Sequence, residues 1–198
     1  MPAAAKFAFL LPLSAGFVFN SLSAFTSYYC TRWGVTRGQL ITIVLRNVVG
    51  IPLWAYGYYL AARTPMAAFL PPSAPRAAVA WALIACGSVI ILLALAALRV
   101  KAAAPSPYDS LVESGLYGRV RHPVYSGMVL EFAGLALLLP SPPVLLATTL
   151  GLGWLVLQSR LEETDLCRRV PAYRQYMQRV PSFLPRWARH PCSDGIPS

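Results

Sequence analysis

The sequence predicts an all-α integral membrane bundle of about five transmembrane helices, closed by a short C-terminal amphipathic helix. Three observations predict it. Hydrophobic residues make up 57% of the 198, with a mean hydropathy of +0.54. Only 12% are charged, about half the share of a soluble domain. The apolar residues also gather into five runs, each ended by a proline-rich or arginine-bearing break.

The first run extends from Phe7 to about Tyr29, the second from Gln39 to Ala62 and the third from Ala77 to Leu98. Each has about 22 residues, enough to cross a hydrocarbon core of about 30 Å. The fourth starts near His122 and ends at Leu139; the fifth starts near Pro142 and continues to about Gln158. These two are shorter, and the linker Ser141–Pro142–Pro143 between them allows only a tight turn between antiparallel helices. Further breaks fall at Pro71–Pro75 and Pro105–Pro107. In the tail from Glu162 to Arg179, Leu166, Val170, Tyr173, Tyr176 and Met177 recur at three- and four-residue spacing with arginines between them. Such a basic amphipathic helix suits the surface of an anionic leaflet or the role of a lid. No repeat divides the chain. Residues 1–198 read as a single membrane-embedded domain, with three motif-free spans in 1–100 and the polar clusters in 101–198.

Lys6 precedes an apolar run too long for a signal-peptide core, and no clear cleavage site follows it. Cys30, Cys86, Cys167 and Cys192 are scattered and do not pair with His122 or His190 at metal-ligand spacing, which argues against disulfide or zinc frameworks. The net charge of +10 is unevenly placed. With five spans, one side collects thirteen basic residues, from Arg32 to Arg189, against three on the other (Lys6, Arg63 and Arg76). The bias predicts an outside N-terminus and a cytoplasmic C-terminus. It also explains the basic balance without nucleic acid as a partner.

Polar residues concentrate at the ends of the last two runs. Gly115 to Gly127 packs Arg119, Arg121, His122, Tyr117 and Tyr125 among glycines at the mouth of a span. Irregular backbone at that depth is expected only where it lines a cavity or is buried in protein. Pro123 after His122 fits a first helical turn, whose free N–H groups favour an anion. Arg121 and His122 serve equally well as anchors to lipid headgroups. Past the fifth run come Arg160, Glu162 and Glu163. The two polar clusters bracket a hairpin and are expected to meet on one side. Adjacent helical residues point about 100° apart, so one acid can face the bundle while the other meets solvent or an arginine. Carboxylates suit an ammonium or a ribose diol; a helix-end pair neutralised by Arg160 and Arg168 is the plainer reading.

Glu131 lies roughly 13 Å into the fourth run, on a face shared with Gly127 and Gly134. It reads as a proton or substrate group, or as a hydrogen-bonded lock between helices. Arg46 lies inside the second run, where snorkelling to the interface accounts for it and a contact to the ligand pocket is the lesser alternative.

Together these residues resemble the isoprenylcysteine carboxyl methyltransferase and phospholipid methyltransferase superfamily of small integral-membrane enzymes. The family pattern, roughly Leu-Val-x-x-Gly-x-Tyr-x-x-x-Arg-His-Pro-x-Tyr-x-Gly, is carried by Leu111, Val112, Gly115, Tyr117, Arg121, His122, Pro123, Tyr125 and Gly127. Its Glu-Glu-x-x-Leu is carried by Glu162, Glu163 and Leu166, and its late Tyr-x-x-Tyr and Arg-Val-Pro by Tyr173, Tyr176 and Arg179–Val180–Pro181. The match spans residues 109 to 185. The resemblance implies S-adenosyl-L-methionine as methyl donor at the cytoplasmic mouth of the last two spans. It implies cofactor-binding roles for Leu111, Val112, Tyr117, Arg121, His122, Pro123, Tyr125, Glu162 and Glu163. A lipophilic acceptor (carboxylate, thiol or amine) would enter from the bilayer.

Two positions depart from the isoprenylcysteine enzymes. Asp109 stands where they have His, and Gln158 stands where they have an arginine associated with the substrate carboxylate. Arg160 is the nearest arginine to that place. With Glu131, the in-span candidate base, it makes the catalytic pair expected from the sequence. Two alternatives compete: an NADPH-dependent sterol-type reductase, which shares a His-Pro-x-Tyr-x-Gly element, and a non-catalytic membrane scaffold.

Overall fold

The computed structural model describes residues 6–99, 105–106 and 109–185. Lys101, Arg186, Arg189, His190 and Cys192 lie outside them. The described residues form helices α1 (Leu10–Leu22), α2 (Thr26–Trp33), α3 (Val35–Ile43), α4 (Ile51–Arg63), α5 (Ala74–Leu98), α6 (Pro123–Leu138), α7 (Pro142–Arg169) and α8 (Tyr173–Arg179). A π-helical turn, Val44–Gly50, joins α3 to α4 without a break, and a short 3-10 turn covers Gly115–Gly118. The protein is an all-helical membrane bundle.

Three helices are long and apolar enough to cross a membrane alone: Val35–Arg63, Ala74–Leu98 and Pro142–Arg169. The first expected span is not one straight helix. It breaks between Leu22 and Thr26, and α1 and α2 meet at 61°. The break is polar and buried: the Ser23 hydroxyl donates to the Asn20 carbonyl, and Phe25 leaves helical geometry at φ −87, ψ 47. Counting the bent pair as one span gives four. The fourth expected span, Pro123–Leu138, is real but short, with 16 residues.

The last span differs most from expectation. α7 does not end near Gln158 but continues to Arg169, 28 residues in all, or about 42 Å at 1.5 Å per residue. That exceeds a hydrocarbon core of about 30 Å, so its final turns carry Glu162 and Glu163 on rigid helix beyond the apolar layer.

α5 and α6 pack closely, through glycine. A Cβ at Gly87 would lie 2.5 Å from the Gly127 carbonyl oxygen, and one at Gly134 2.7 Å from that of Ala80. Only small residues permit such an approach. Glu131 sits in this seam and accepts a 2.7 Å hydrogen bond from the Ser88 hydroxyl on α5. α1 packs antiparallel on α4. The apolar core joins Leu13 and Phe17 of α1, Tyr58 of α4, Phe132 of α6 and Trp154 of α7, with Phe17 stacked on Trp154 at 4.6 Å. At one end of the bundle, Phe69 N–H bonds the Pro140 carbonyl and so ties the α4–α5 loop to the α6–α7 turn. The other end gathers α2, residues 105–106 and 109–121, the last turns of α7 and the tail to residue 185. Gly34 makes the reversal from α2 to α3 there at φ 83, a conformation open to glycine.

Candidate functional site

Both polar clusters converge at that second end, as the hairpin requires. Pro123 opens α6 with His122 as its N-cap. Across from it on α7, the Glu163 carboxylate lies 2.8 Å from Arg121 Nη2, 3.0 Å from Arg121 Nε and 3.0 Å from His122 Nε2. The Glu163 side chain is 4% exposed. Arg121 spends its other donors on the tail: Nη1 reaches the carbonyls of Met177 and Val180, and Nη2 the Ser182 hydroxyl. A guanidinium has five N–H donors, and all five meet protein acceptors.

The start of α6 is therefore covered rather than open to an anion. Arg121 N–H bonds the Pro181 carbonyl, His122 N–H the Ser182 carbonyl, and the Ser126 hydroxyl the Phe183 carbonyl. The tail helix α8 turns its apolar face inward, not onto a membrane surface. Val170, Tyr173 and Tyr176 are buried against Leu111, Leu166 and Val180. Tyr176 donates to the Tyr117 carbonyl at 2.5 Å. Burial raises the Tyr117, Tyr173 and Tyr176 phenols above the usual range, that of Tyr176 to about 12, so all three are neutral O–H groups at neutral pH.

Beneath this cover lies a cavity of about 700 Å³, within the range of small-molecule sites. Leu111, Val112, Tyr117, Arg121, His122, Tyr125, Glu131 and Glu162 line it. Its polar end also holds Asp109 and Arg169, which pair at 3.1 Å. Its apolar end is walled by Ile91 and Leu95 of α5, Met128 of α6, Ile51 and Trp54 of α4, and Trp154 of α7. Ile51 and Leu95 on this wall are each 39% exposed, so the apolar end is open rather than sealed.

The acid pair divides as a helical 100° step dictates. Glu162 faces the cavity, where it meets Arg46 Nη2 and Gln158 Nε2, each at 3.2 Å, and lies against Tyr125. Glu163 faces the Arg121–His122 side and does not line the cavity; nor does Pro123, whose place is the first turn of α6. Arg160, expected to be catalytic, points outward with its side chain 69% exposed and lies 3.7 Å from Glu163. It lies two positions before Glu162, about 200° round the helix, and so on the opposite face. The arginine beside Glu162 is instead Arg46. Asn20, Asn47 and Trp54 also line the cavity. Sequence reasoning missed these N-terminal residues. The one available signal was an arginine and an asparagine side by side within an apolar run.

Residues 75–170 match the family model for phospholipid methyltransferase. The chain carries a phospholipid methyltransferase domain. No curated protein and no solved structure matches the chain. The domain, of an integral-membrane methyltransferase family, spans α5, α6 and α7 and ends where the tail begins, which includes Arg121, His122, Tyr125, Glu162 and Glu163. The family suggests methyl transfer to a membrane-associated substrate. The methyltransferase domain does not line the cavity alone. Asn20, Arg46 and Trp54 come before it in the chain, and Tyr173 and Tyr176 after it.

Proposed function

We propose that the protein transfers a methyl group from S-adenosyl-L-methionine to a lipophilic acceptor that enters from the bilayer. The observation that carries this reading is a single cavity with two chemistries. Its charged end lies beneath the tail, and its apolar end is walled by Ile51 and Leu95, which stand on the apolar helices α4 and α5 that face the bilayer in this reading. A soluble, charged donor and a membrane-dissolved acceptor need such a shared space.

The residues present fit the donor. Glu162 supplies a carboxylate for an ammonium or a ribose diol, and Tyr117, Tyr173 and Tyr176 supply a neutral aromatic wall. The Trp54 indole N–H, on the cavity wall, is buried without a hydrogen-bond partner, a costly state that a polar ligand can relieve. Leu111 and Val112 line the same space. When bound, the donor supplies a methyl group on a sulfonium whose positive charge is lost as the methyl leaves.

The chain's own residues then have mainly positioning and water exclusion to perform. Glu163 accepts a hydrogen bond from His122 Nε2, which orients the imidazole. His122 is held flat against Tyr125, ring centroids 5.4 Å apart. Arg121 binds the tail over the cavity and positions it; no donor remains for the cofactor. A carboxylate or thiolate acceptor needs no base. An amine or alcohol needs one, and Glu131, on the cavity wall with Ser88, is the carboxylate placed for it. The site faces the cytoplasm, a sidedness supported by the basic residues gathered at that end.

The test is transfer of labelled methyl from S-adenosyl-L-methionine into the organic extract of membranes that contain the protein. Label is expected there with the wild-type chain and not with Glu162→Gln. Equal label from both would defeat the reading.

A further inference from the structure

Arg46 lies outside the matched segment, yet it reaches Glu162 on α7 and lines the cavity. Its backbone is the π-helical turn Val44–Gly50. An extra residue per turn is rare in helices and recurs at functional sites. The Arg46 and Glu162 side chains are 19% and 20% exposed: neither solvated nor sealed between helices, both opening on the cavity.

Gln158 stands beside them. Its Nε2 donates to Glu162 Oε1 and, at 3.4 Å, to the Asn20 carbonyl, while its buried Oε1 accepts nothing. A guanidinium, a carboxylate and an unfilled amide acceptor thus stand side by side. A carboxylate ligand suits the first, and an ammonium suits the second. A free α-amino-acid group carries both on one carbon.

We propose that Arg46, Glu162 and Gln158 form the seat for the α-amino-acid end of the methyl donor. Arg46 takes the carboxylate, and Glu162, held from behind by Gln158 Nε2, takes the ammonium. This rests on the methyltransferase reading and deepens it: the N-terminal half contributes a cofactor contact. The aromatic wall of Tyr117, Tyr173 and Tyr176 is left for the adenosine.

The test compares two ligands by calorimetry on the detergent-purified full chain: S-adenosylhomocysteine, and 5′-methylthioadenosine, which lacks the amino-acid end. Wild type should bind the first at least about tenfold more tightly, as expected for hydrogen bonds to charged groups. Arg46→Gln should erase most of that preference by weakening S-adenosylhomocysteine alone. A wild-type chain without the preference overturns the seat. So does Arg46→Gln that keeps it, or that weakens both ligands equally and so marks Arg46 as a cross-link between helices. If Arg46→Gln fails to fold, Arg46→Lys and Gln158→Leu must each reduce the preference, and an unchanged ratio in both overturns the proposal. Wild type that binds neither ligand defeats the methyltransferase reading itself; wild type that binds both, with the ratio untouched by the variants, defeats only the seat.

Discussion

Arg121 and Glu163 are joined twice, at 2.8 Å and 3.0 Å, with side chains only 8% and 4% exposed. The pair ties the start of α6 to the end of α7, and the same guanidinium holds Met177, Val180 and Ser182 of the tail. One buried arginine therefore organises three segments that lie far apart in sequence.

Lysine cannot reproduce that fork. Arg121→Lys cannot serve Glu163, the Met177 and Val180 carbonyls and the Ser182 hydroxyl together, and should leave at least one tail carbonyl without a donor. The tail should come loose at a cost of about 2–4 kcal/mol, near the range for a broken buried pair. Limited proteolysis should then cut between 170 and 185 where the wild-type chain resists. Equal resistance would show that the tail docks without the arginine.

The two adjacent acids should respond in opposite ways. Glu163→Gln removes the charge opposite buried Arg121 and should cost roughly 3–5 kcal/mol of stability. Glu162→Gln keeps the fold, with a change of about 0–1 kcal/mol as for a partly exposed pair, but weakens donor binding at least about tenfold. Thermal unfolding and donor titration of both variants measure the division.

The α5–α6 seam should tolerate no side chain at its closest point. Gly87→Val places a Cβ about 2.5 Å from the Gly127 carbonyl oxygen, and forced separation of packed helices costs about 1–3 kcal/mol or more. A lowered melting temperature in detergent is expected. Gly153, with nothing within 4 Å of a Cβ, should accept alanine without such a loss.

Alkali should open the tail. The Tyr176 phenol titrates near 12 in the folded chain against its usual 10.0, chiefly through burial, and Tyr117 and Tyr173 are raised as well. The folded state holds these protons more tightly than the unfolded state, so their contribution to stability is complete below pH 10 and is lost as pH rises from 10 towards 12. Proteolytic susceptibility of residues 170–185 should be flat from pH 7 to 9 and climb above about 10.

Much of this architecture was legible in the sequence. Hydropathy located every apolar run, and His122–Pro123 marked the start of α6 because proline suits a first turn. The 100° step between Glu162 and Glu163 separated their directions, though not which partners each would meet. What local pattern could not give were the long-range partners. Nothing near residue 46 signals Glu162, 116 positions away. Ser23, at the bend, accepts a hydrogen bond from Arg46 Nε on another helix, 3.2 Å away, which no local pattern announces. The fall in hydropathy after Gln158 marks the edge of the apolar layer, and the helix runs past it to Arg169. Arg160 drew attention by its nearness in sequence, and the helical phase turns it away from the cavity.

The central claim is a donor site whose polar face includes Glu162. It is tested most directly by titration of the detergent-purified protein with S-adenosyl-L-methionine and, separately, with NADPH. The account predicts saturable binding of S-adenosyl-L-methionine, loss of that binding in a folded Glu162→Gln variant, and no binding of NADPH. Saturable NADPH binding without S-adenosyl-L-methionine binding would contradict it, as would donor affinity that Glu162→Gln leaves unchanged.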